Sequence, residues 1–102
     1  MTLLDEFKEY IRIDGDDENS TLNAFLMAAR SFLVNAGVEL PVDLIAKNED
    51  ETLTYPLHFL AVVVLAAHFY ESRQVVSSQA QNVVPFSVQQ MILQLKLVKL
   101  DG

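Results

Sequence analysis

The sequence predicts a mainly α-helical fold, a small helical bundle built around one buried central helix. The run from residue 57 to 70 is apolar except for His58 and His68 and has no polar stripe. A helix that is hydrophobic all round is buried on all sides. Amphipathic segments with helical spacing precede and follow this run. The 102 residues contain only three glycines and three prolines, few for a β protein, and they predict a single domain spanning 1–102.

The central helix is expected to cover about residues 57–74. Pro56 suits a first helical turn, and Thr54 is a candidate cap before it. A membrane span needs about 20 apolar residues, whereas this run stops at Glu71. The three valines at 62–64 lower helix propensity and leave a buried parallel strand as an alternative. The length of the run and its alanines favour the helix.

Two amphipathic helices are predicted before the central one. The first spans about residues 3–12 and starts after Thr2 as its N-cap. The second spans about residues 18–36 and ends at Gly37, which suits a left-handed C-terminal cap. The apolar positions expected to face the core are Leu3, Phe7, Ile11, Leu22, Phe25, Leu26, Ala29, Phe32, Leu33 and Ala36.

Three residues of the second helix lie outside its apolar stripe and have two interpretations each. Met27 and Val34 are either ordinary exposed apolar residues or contacts to another subunit. Arg30, the only charge in the middle of this helix, is either solvated or a partner of the acidic turn before it.

The connections carry most of the acid. Asp14-Gly15-Asp16-Asp17-Glu18 resembles part of a calcium loop, but its glycine is second rather than sixth and Phe25 stands at the twelfth position. We therefore predict a turn at Gly15 and a helix capped by Asp16 or Asp17. Residues 38–55 are the least regular part, with a single helical turn expected at 41–45.

The C-terminal part combines an uncharged segment with a short last helix. Residues 75–85 form either a short β-hairpin or an extended loop, because valines flank polar residues there. Such a segment can pair with a neighbouring chain. A capping box at Ser87 predicts a helix over about residues 88–96, with apolar residues at 88, 91, 92 and 95. The apolar tail 97–100 either extends this helix or docks on a partner.

The net charge of −7 is unevenly distributed. Residues 1–20 carry a net charge of −5 and residues 38–55 carry −4, while 21–37 and 56–102 are each +1. Binding to nucleic acid through phosphates needs clustered Lys and Arg, so no sequence-specific nucleic-acid binding is expected. The acid marks either a solvated surface or one that does not adhere to DNA passing close by.

No residue pattern indicates catalysis or a cofactor. The glycines at 15, 37 and 102 form no phosphate-binding loop, and the chain has no cysteine for a thiolate metal site. His58 and His68 are ten residues apart, too far to bind one metal as an i, i+4 pair, and are expected to be packed or boundary residues. We therefore expect no enzyme activity, no cofactor, no metal, no catalytic residues and no membrane contact.

Several motifs in a fixed order identify a similar family. They are Leu3, Phe7-Lys8 and Tyr10–Asp14, then Asp16-Asp17-Glu18, Leu22 and Ala28-Ala29-Arg30, then Ala67–Arg73, and finally Val84-Pro85-Phe86-Ser87-Val88 with Gln94-Leu95-Lys96. In this order they resemble the small head–tail connector proteins of tailed bacteriophages and prophages. Lys96 stands where family members often have an arginine.

The resemblance implies a mostly helical, non-enzymatic adaptor of the virion, assembled in the bacterial cytoplasm. Its copies would form a homo-oligomeric ring on the portal protein, contact the tail completion or stopper protein, and let DNA pass through the lumen. The alternative is a small acidic intracellular regulatory protein that binds a single protein partner, for example as a nucleic-acid mimic. A helix-turn-helix DNA-binding module is a third hypothesis, which the charge disfavours.

Overall fold

Four α-helices form the secondary structure in the computed structural model, which describes residues 2–72 and 84–100. They are α1 (Leu3–Ile11), α2 (Asn19–Asn35), α3 (Pro56–Ser72) and α4 (Phe86–Leu95). Each helix begins and ends within two residues of its predicted position, and the mainly α fold class is confirmed. The predicted hairpin or loop at 75–85 lies outside the described residues, apart from Val84 and Pro85, which lead directly into α4.

Helix α3 is the centre of the bundle, because it contacts each of the other three helices. The alternative of a buried strand is therefore wrong. Its three small residues Ala61, Ala66 and Ala67 are buried and allow neighbouring helices to approach closely. The prediction of burial on all sides is wrong at Leu60, which is exposed. The largest fully buried side chains come from every helix and one connection: Phe7, Leu22, Leu33, Leu44, Val62, Val63, Leu65, Val88 and Leu95.

Helix α1 has the predicted N-cap. The Thr2 hydroxyl accepts a hydrogen bond from the Asp5 N–H at 3.1 Å, and the Asp5 carboxylate accepts one from the Thr2 N–H at 3.0 Å. This reciprocal capping box satisfies two backbone donors at the helix start. At its other end, Arg12 adopts the left-handed conformation with φ 63°, and the Ile13 N–H donates to the Lys8 carbonyl at 2.9 Å.

Helix α2 ends at the predicted glycine. Gly37 has φ +99°, a conformation that glycine adopts without steric cost. The N–H groups of Gly37 and Val38 donate to the carbonyls of Val34 and Leu33, both at 3.0 Å, the pattern of a Schellman motif. A Cβ atom at Gly37 would lie 3.3 Å from Cε of Lys96. The glycine therefore also lets the end of α4 approach the end of α2.

Two predicted caps are wrong. The N-cap of α2 is Glu18 instead of Asp16 or Asp17, and its side chain makes no capping hydrogen bond. The Asp16 carboxylate accepts a hydrogen bond from Lys8 instead. The N-cap of α4 is Pro85, so Ser87 lies inside the helix and forms no capping box. The carbonyl of Pro85 accepts hydrogen bonds from the N–H groups of Val88 and Gln89, at 3.0 and 3.1 Å.

The connection from α2 to α3 is held by hydrogen bonds and one buried leucine, Leu44. Instead of the predicted helical turn at 41–45, a tight turn forms in which the Ala46 N–H donates to the Asp43 carbonyl at 3.3 Å. A turn follows between the bridged residues Lys47 and Leu53. The Thr54 hydroxyl donates to Asn48 in that turn at 2.9 Å. Thr54 therefore belongs to the connection, and the prediction that it caps α3 is wrong.

The tail after α4 folds back instead of extending the helix. The Leu100 N–H donates to the Glu39 carboxylate at 3.5 Å, and Lys99 Nζ lies 3.6 Å from the other Glu39 oxygen. Leu97 remains strongly exposed. The prediction that the tail continues α4 is therefore wrong, and its docking on a partner remains a prediction.

Candidate interaction surfaces

The two histidines of α3 lie apart and do not form a common site. Ten residues of helix separate them by about 15 Å along the axis. His58 is only 5% exposed and packs edge-on against Tyr55, with ring centroids 5.7 Å apart. The Nε2 atoms of His58 and His68 are buried and have no hydrogen-bond partner among the described residues. Burial lowers the pKa of His58 and thus favours the neutral imidazole.

A lysine that is almost fully buried joins α1 to the start of α2. Lys8 Nζ donates to the Asp16 carboxylate and to the Asn19 side-chain carbonyl, both at 2.9 Å. Asn19 Nδ2 also donates to Asp16 at 3.3 Å. The hydrogen bonds from Lys8 and Asn19, together with the charge of Lys8, hold the pKa of Asp16 below its ordinary value. This cluster fixes the acidic turn against α1, and no residue in it is arranged for catalysis.

Metal binding gains no support from the geometry. Over residues 2–72 and 84–100, no group of three or more His, Asp or Glu side chains converges on a point where an ion could be held. In the 38–55 connection, the carboxylate of Asp50 accepts hydrogen bonds from the hydroxyl and N–H of Thr52, which lower the pKa of Asp50. The acids in these turns thus order the backbone.

Helix α4 carries apolar side chains on two opposite sides. Val88 and Leu95 face the core and are buried. Phe86 and Leu93 lie on the opposite side of the helix and are 72% and 60% exposed, and Leu97, just after the C-cap, is 84% exposed. At 3.6 residues per turn Phe86 and Leu93 lie within about 20° of one line along the helix, and Leu97 follows in the turn after the C-cap Lys96. We call Phe86, Gln90, Leu93 and Leu97 the α4 outer face.

Helix α2 presents an outward surface without charge. We define the α2 outer face as the exposed residues opposite its buried stripe: Ser20, Ala24, Met27, Ala28, Ser31, Val34 and Asn35. Met27 and Val34 are 68% and 55% exposed, so their predicted place outside the apolar stripe is confirmed. A surface helix of a soluble protein ordinarily carries charged residues on this side. Small and apolar side chains over four turns instead indicate a contact surface.

A shallow groove borders the α2 outer face. It lies between the start of α1 and the middle of α2, with Met27 and Arg30 in its wall. Arg30 has no hydrogen-bond or ion-pair partner in the part of the chain that the structure describes. Eleven residues, or about 16 Å of helix, separate it from Asn19. Arg30, which is half-buried, therefore does not pair with the acidic turn, and that alternative is wrong.

The acidic side chains occupy other parts of the surface. Asp14, Asp16 and Asp17 are exposed in the turn after α1, and so are the acids of the 38–55 connection: Glu39, Asp43, Glu49, Asp50 and Glu51. The two outer faces contain none of them. Exposed acids thus lie in these turns, on α1 at Asp5 and Glu9, and at the end of α3 at Glu71, whereas the two outer faces are uncharged.

Comparison with known families connects this arrangement to a group of proteins. A family model described as "Phage gp6-like head-tail connector protein" matches residues 1–96, which include all four helices. The chain belongs to this family. The resemblance inferred from the ordered motifs is thereby confirmed at the level of the family, which is one of phage structural proteins. Curated proteins and solved structures give no match to this connector-family chain.

A helix that crosses a membrane must be both long and apolar. Within residues 2–72 and 84–100, none of the connector's helices is long and apolar enough to cross a bilayer. This includes α3, whose seventeen residues fall short of the roughly 20 that a typical span needs.

Proposed function

We propose that the chain is a single-domain subunit of a ring that joins the portal of a phage head to the tail. The observation that carries this proposal is the family match over residues 1–96, which covers each of the four helices described above. Two exposed, uncharged helix faces on one small domain support it, because a ring subunit must contact a neighbour on each side. The proposed place of action is the head–tail junction of the virion, assembled in the host cytoplasm.

The charge supports a role as a DNA conduit. The exposed acids of the turns repel phosphate, and the chain has only seven Lys and Arg against fourteen Asp and Glu. A channel wall that binds DNA tightly would slow its passage, whereas an acidic wall does not retain the phosphates. We propose that the ring conducts DNA without sequence-specific binding and without catalysis.

The apolar surface supports protein partners. Phe86, Leu93 and Leu97 expose large side chains of the kind that anchor protein interfaces. In the proposed assembly, surfaces of the ring contact the portal protein on one side and the tail completion or stopper protein on the other. Contacts with the portal form only where the portal is present, so the isolated chain can remain monomeric at low concentration.

The test measures assembly with and without the portal. The purified chain is examined by native mass spectrometry and light scattering at high concentration, alone and mixed with its cognate portal protein. The expected result is a species containing a fixed number of copies, alone or bound to the portal. A chain that stays monomeric and also fails to bind the portal contradicts the proposal. Tight, salt-sensitive binding to duplex DNA would contradict the conduit role.

A further inference from the structure

We propose that the α4 outer face of one copy packs against the α2 outer face of the next copy. This inference rests on the proposed ring and specifies which surfaces form its subunit contact. The two faces belong to different helices of the same bundle, and each helix packs on α3 with its other side. A contact between two different faces leaves one of each unused at the ends of a dimer. It therefore continues from copy to copy, and it forms a ring where the rotation between successive copies closes.

The first argument is the apolar pattern of α4. Its inward side chains already complete the core, so Phe86, Leu93 and Leu97 are not needed to close the bundle. Phe86 and Leu93 on one line of α4, with Leu97 in the turn that follows, are each at least 60% exposed and form an outward apolar patch at this helix. A patch of this kind on a helix is typical of a surface that is covered in an assembly.

The second argument is the match in side-chain size. The α2 outer face has small residues at its centre, Ala24, Ala28 and Ser31, with Met27 and Val34 along one side. Small residues leave a shallow depression between the ridges of a helix surface, and large side chains of a second helix fit into it. The bulky α4 outer face and the small-residue α2 outer face are therefore complementary in shape.

The third argument is charge, which favours these two faces over the acidic turns for a contact between copies of this chain. Two copies with a net charge of −7 repel each other. Contacts through the turns would bring the exposed acids of residues 14–17 or 49–51 close to those of the neighbour. The sequence has no charged residue from Gln74 to Leu95, and none of the residues of the α2 outer face is charged. Pairing these two faces brings no like charges into the contact.

Cysteine cross-linking tests the pairing directly, because the chain contains no native cysteine. One preparation carries Leu93→Cys and the other Ala28→Cys, and equal amounts are assembled together under mild oxidation. The expected product is the mixed disulfide dimer, in at least tenfold excess over either homodimer. The matched control replaces Leu93→Cys by Glu49→Cys, an exposed position in the acidic connection. This control is expected to give no excess of the mixed dimer.

The outcomes separate this inference from the proposed function. Rings that form, or bind the portal, without the mixed disulfide overturn the inference and leave the proposed function intact. A dominant Leu93→Cys homodimer overturns it in favour of a symmetric α4–α4 contact. A chain that neither associates with itself nor binds the portal overturns both.

A charge-swap experiment provides a second, independent measurement. Leu93→Glu introduces an acid into the proposed contact and is expected to raise the concentration needed for half-assembly at least tenfold. The double variant Leu93→Glu with Ala28→Lys supplies an opposite charge on the facing surface and is expected to recover a large part of that loss. Val42→Glu is the control, since Val42 is exposed and lies outside both faces. Circular dichroism verifies that each variant is folded. Equal effects of Leu93→Glu and Val42→Glu, or no recovery in the double variant, would overturn the pairing.

Discussion

Helices α3 and α4 both have apolar residues on more than one side, but the protein covers them differently. Around α3 the other three helices bury the apolar surface, and Leu60 is its exposed exception. On α4 one side enters the core and the other side remains exposed. The pattern of apolar residues thus indicates how much surface needs cover. It does not indicate whether the same chain or another one supplies that cover.

The largest expected effect compares one leucine from each helix. Leu65→Ala in α3 removes a fully buried side chain and is expected to lower the free energy of unfolding by about 2–5 kcal/mol. Leu93→Ala on the α4 outer face removes an exposed side chain, and about 0.5 kcal/mol or less is expected. Urea unfolding of the isolated chain, followed by circular dichroism, measures both. Similar losses for the two variants would contradict the division between core and contact surface.

The left-handed cap at the end of α2, against which the end of α4 lies, is tested at Gly37. Gly37→Ala places a Cβ on a residue with φ +99° and 3.3 Å from Lys96 Cε. We expect a loss of about 1–2 kcal/mol from the left-handed backbone alone. Arg12→Gly is the matched variant, because Arg12 has φ 63° without being glycine. It is expected to leave stability unchanged or to raise it by up to about 1 kcal/mol. Thermal unfolding distinguishes them, and a stabilising Gly37→Ala would contradict the observed cap.

Acidification tests the interior of α3 through His58. Because burial lowers the pKa of His58, the unfolded chain takes up this proton at a higher pH than the folded chain. Stability is therefore expected to be constant above the ordinary pKa of about 6.5 and to fall as the pH drops below it. His58→Phe removes this part of the pH dependence, while His68 is retained in both proteins. Denaturant midpoints at pH 7.5 and 5.5 provide the measurement. If the midpoint falls as much between pH 7.5 and 5.5 in the His58→Phe variant as in the original chain, that would count against a buried neutral His58.

The smallest effect is expected at the junction of α1 and α2. The hydrogen bond with Lys8 is the largest cause of the lowered pKa of Asp16. Because this pKa is lower in the folded chain, the carboxylate contributes to the free energy of unfolding above its ordinary pKa of 3.8. That contribution is lost as the pH falls below this value. Asp16→Asn and Lys8→Met are each expected to reduce the loss of stability in acid. In the double-mutant cycle their effects should not add, because the two groups contact each other. Additive effects would show that the hydrogen bond does not stabilise the fold.

The helices could be predicted from the sequence because their apolar periods and some of their caps are local. The caps at Thr2 and at Gly37 each act within one helical turn, and both are present as predicted. The caps at Asp16 and Ser87 failed for different reasons. The Asp16 carboxylate accepts a hydrogen bond from Lys8, eight residues away. Pro85 is the N-cap of α4, two residues before Ser87. The competition for Asp16 depends on tertiary structure, which local motifs do not encode, whereas the earlier start of α4 at Pro85 is a local effect.

The Lys8 cluster and the α4 outer face were missed for a different reason, since each had a signal in the sequence. Lys8 lies between Leu4 and Ile11 at helical spacing, so it interrupts an otherwise apolar side of α1. Phe86, Leu93 and Leu97 follow the same kind of spacing as the core positions of α4 but on the opposite side. A search for one apolar stripe per helix finds the inward positions first and overlooks the second stripe. The connection 38–55 has no period at all, and its conformation depends on hydrogen bonds specific to its own side chains.

The arrangement of α4 also has a consequence for how such a chain diverges. Folding constrains Val88 and Leu95, because they are buried, whereas exchanges at the exposed positions have little effect on the isolated fold. In the proposed contact, selection for a stable subunit and selection for a compatible neighbour act on separate sets of sites within one short stretch of the chain. A lineage can therefore acquire new assembly specificity by mutation at positions 86, 93 and 97 while keeping its bundle intact.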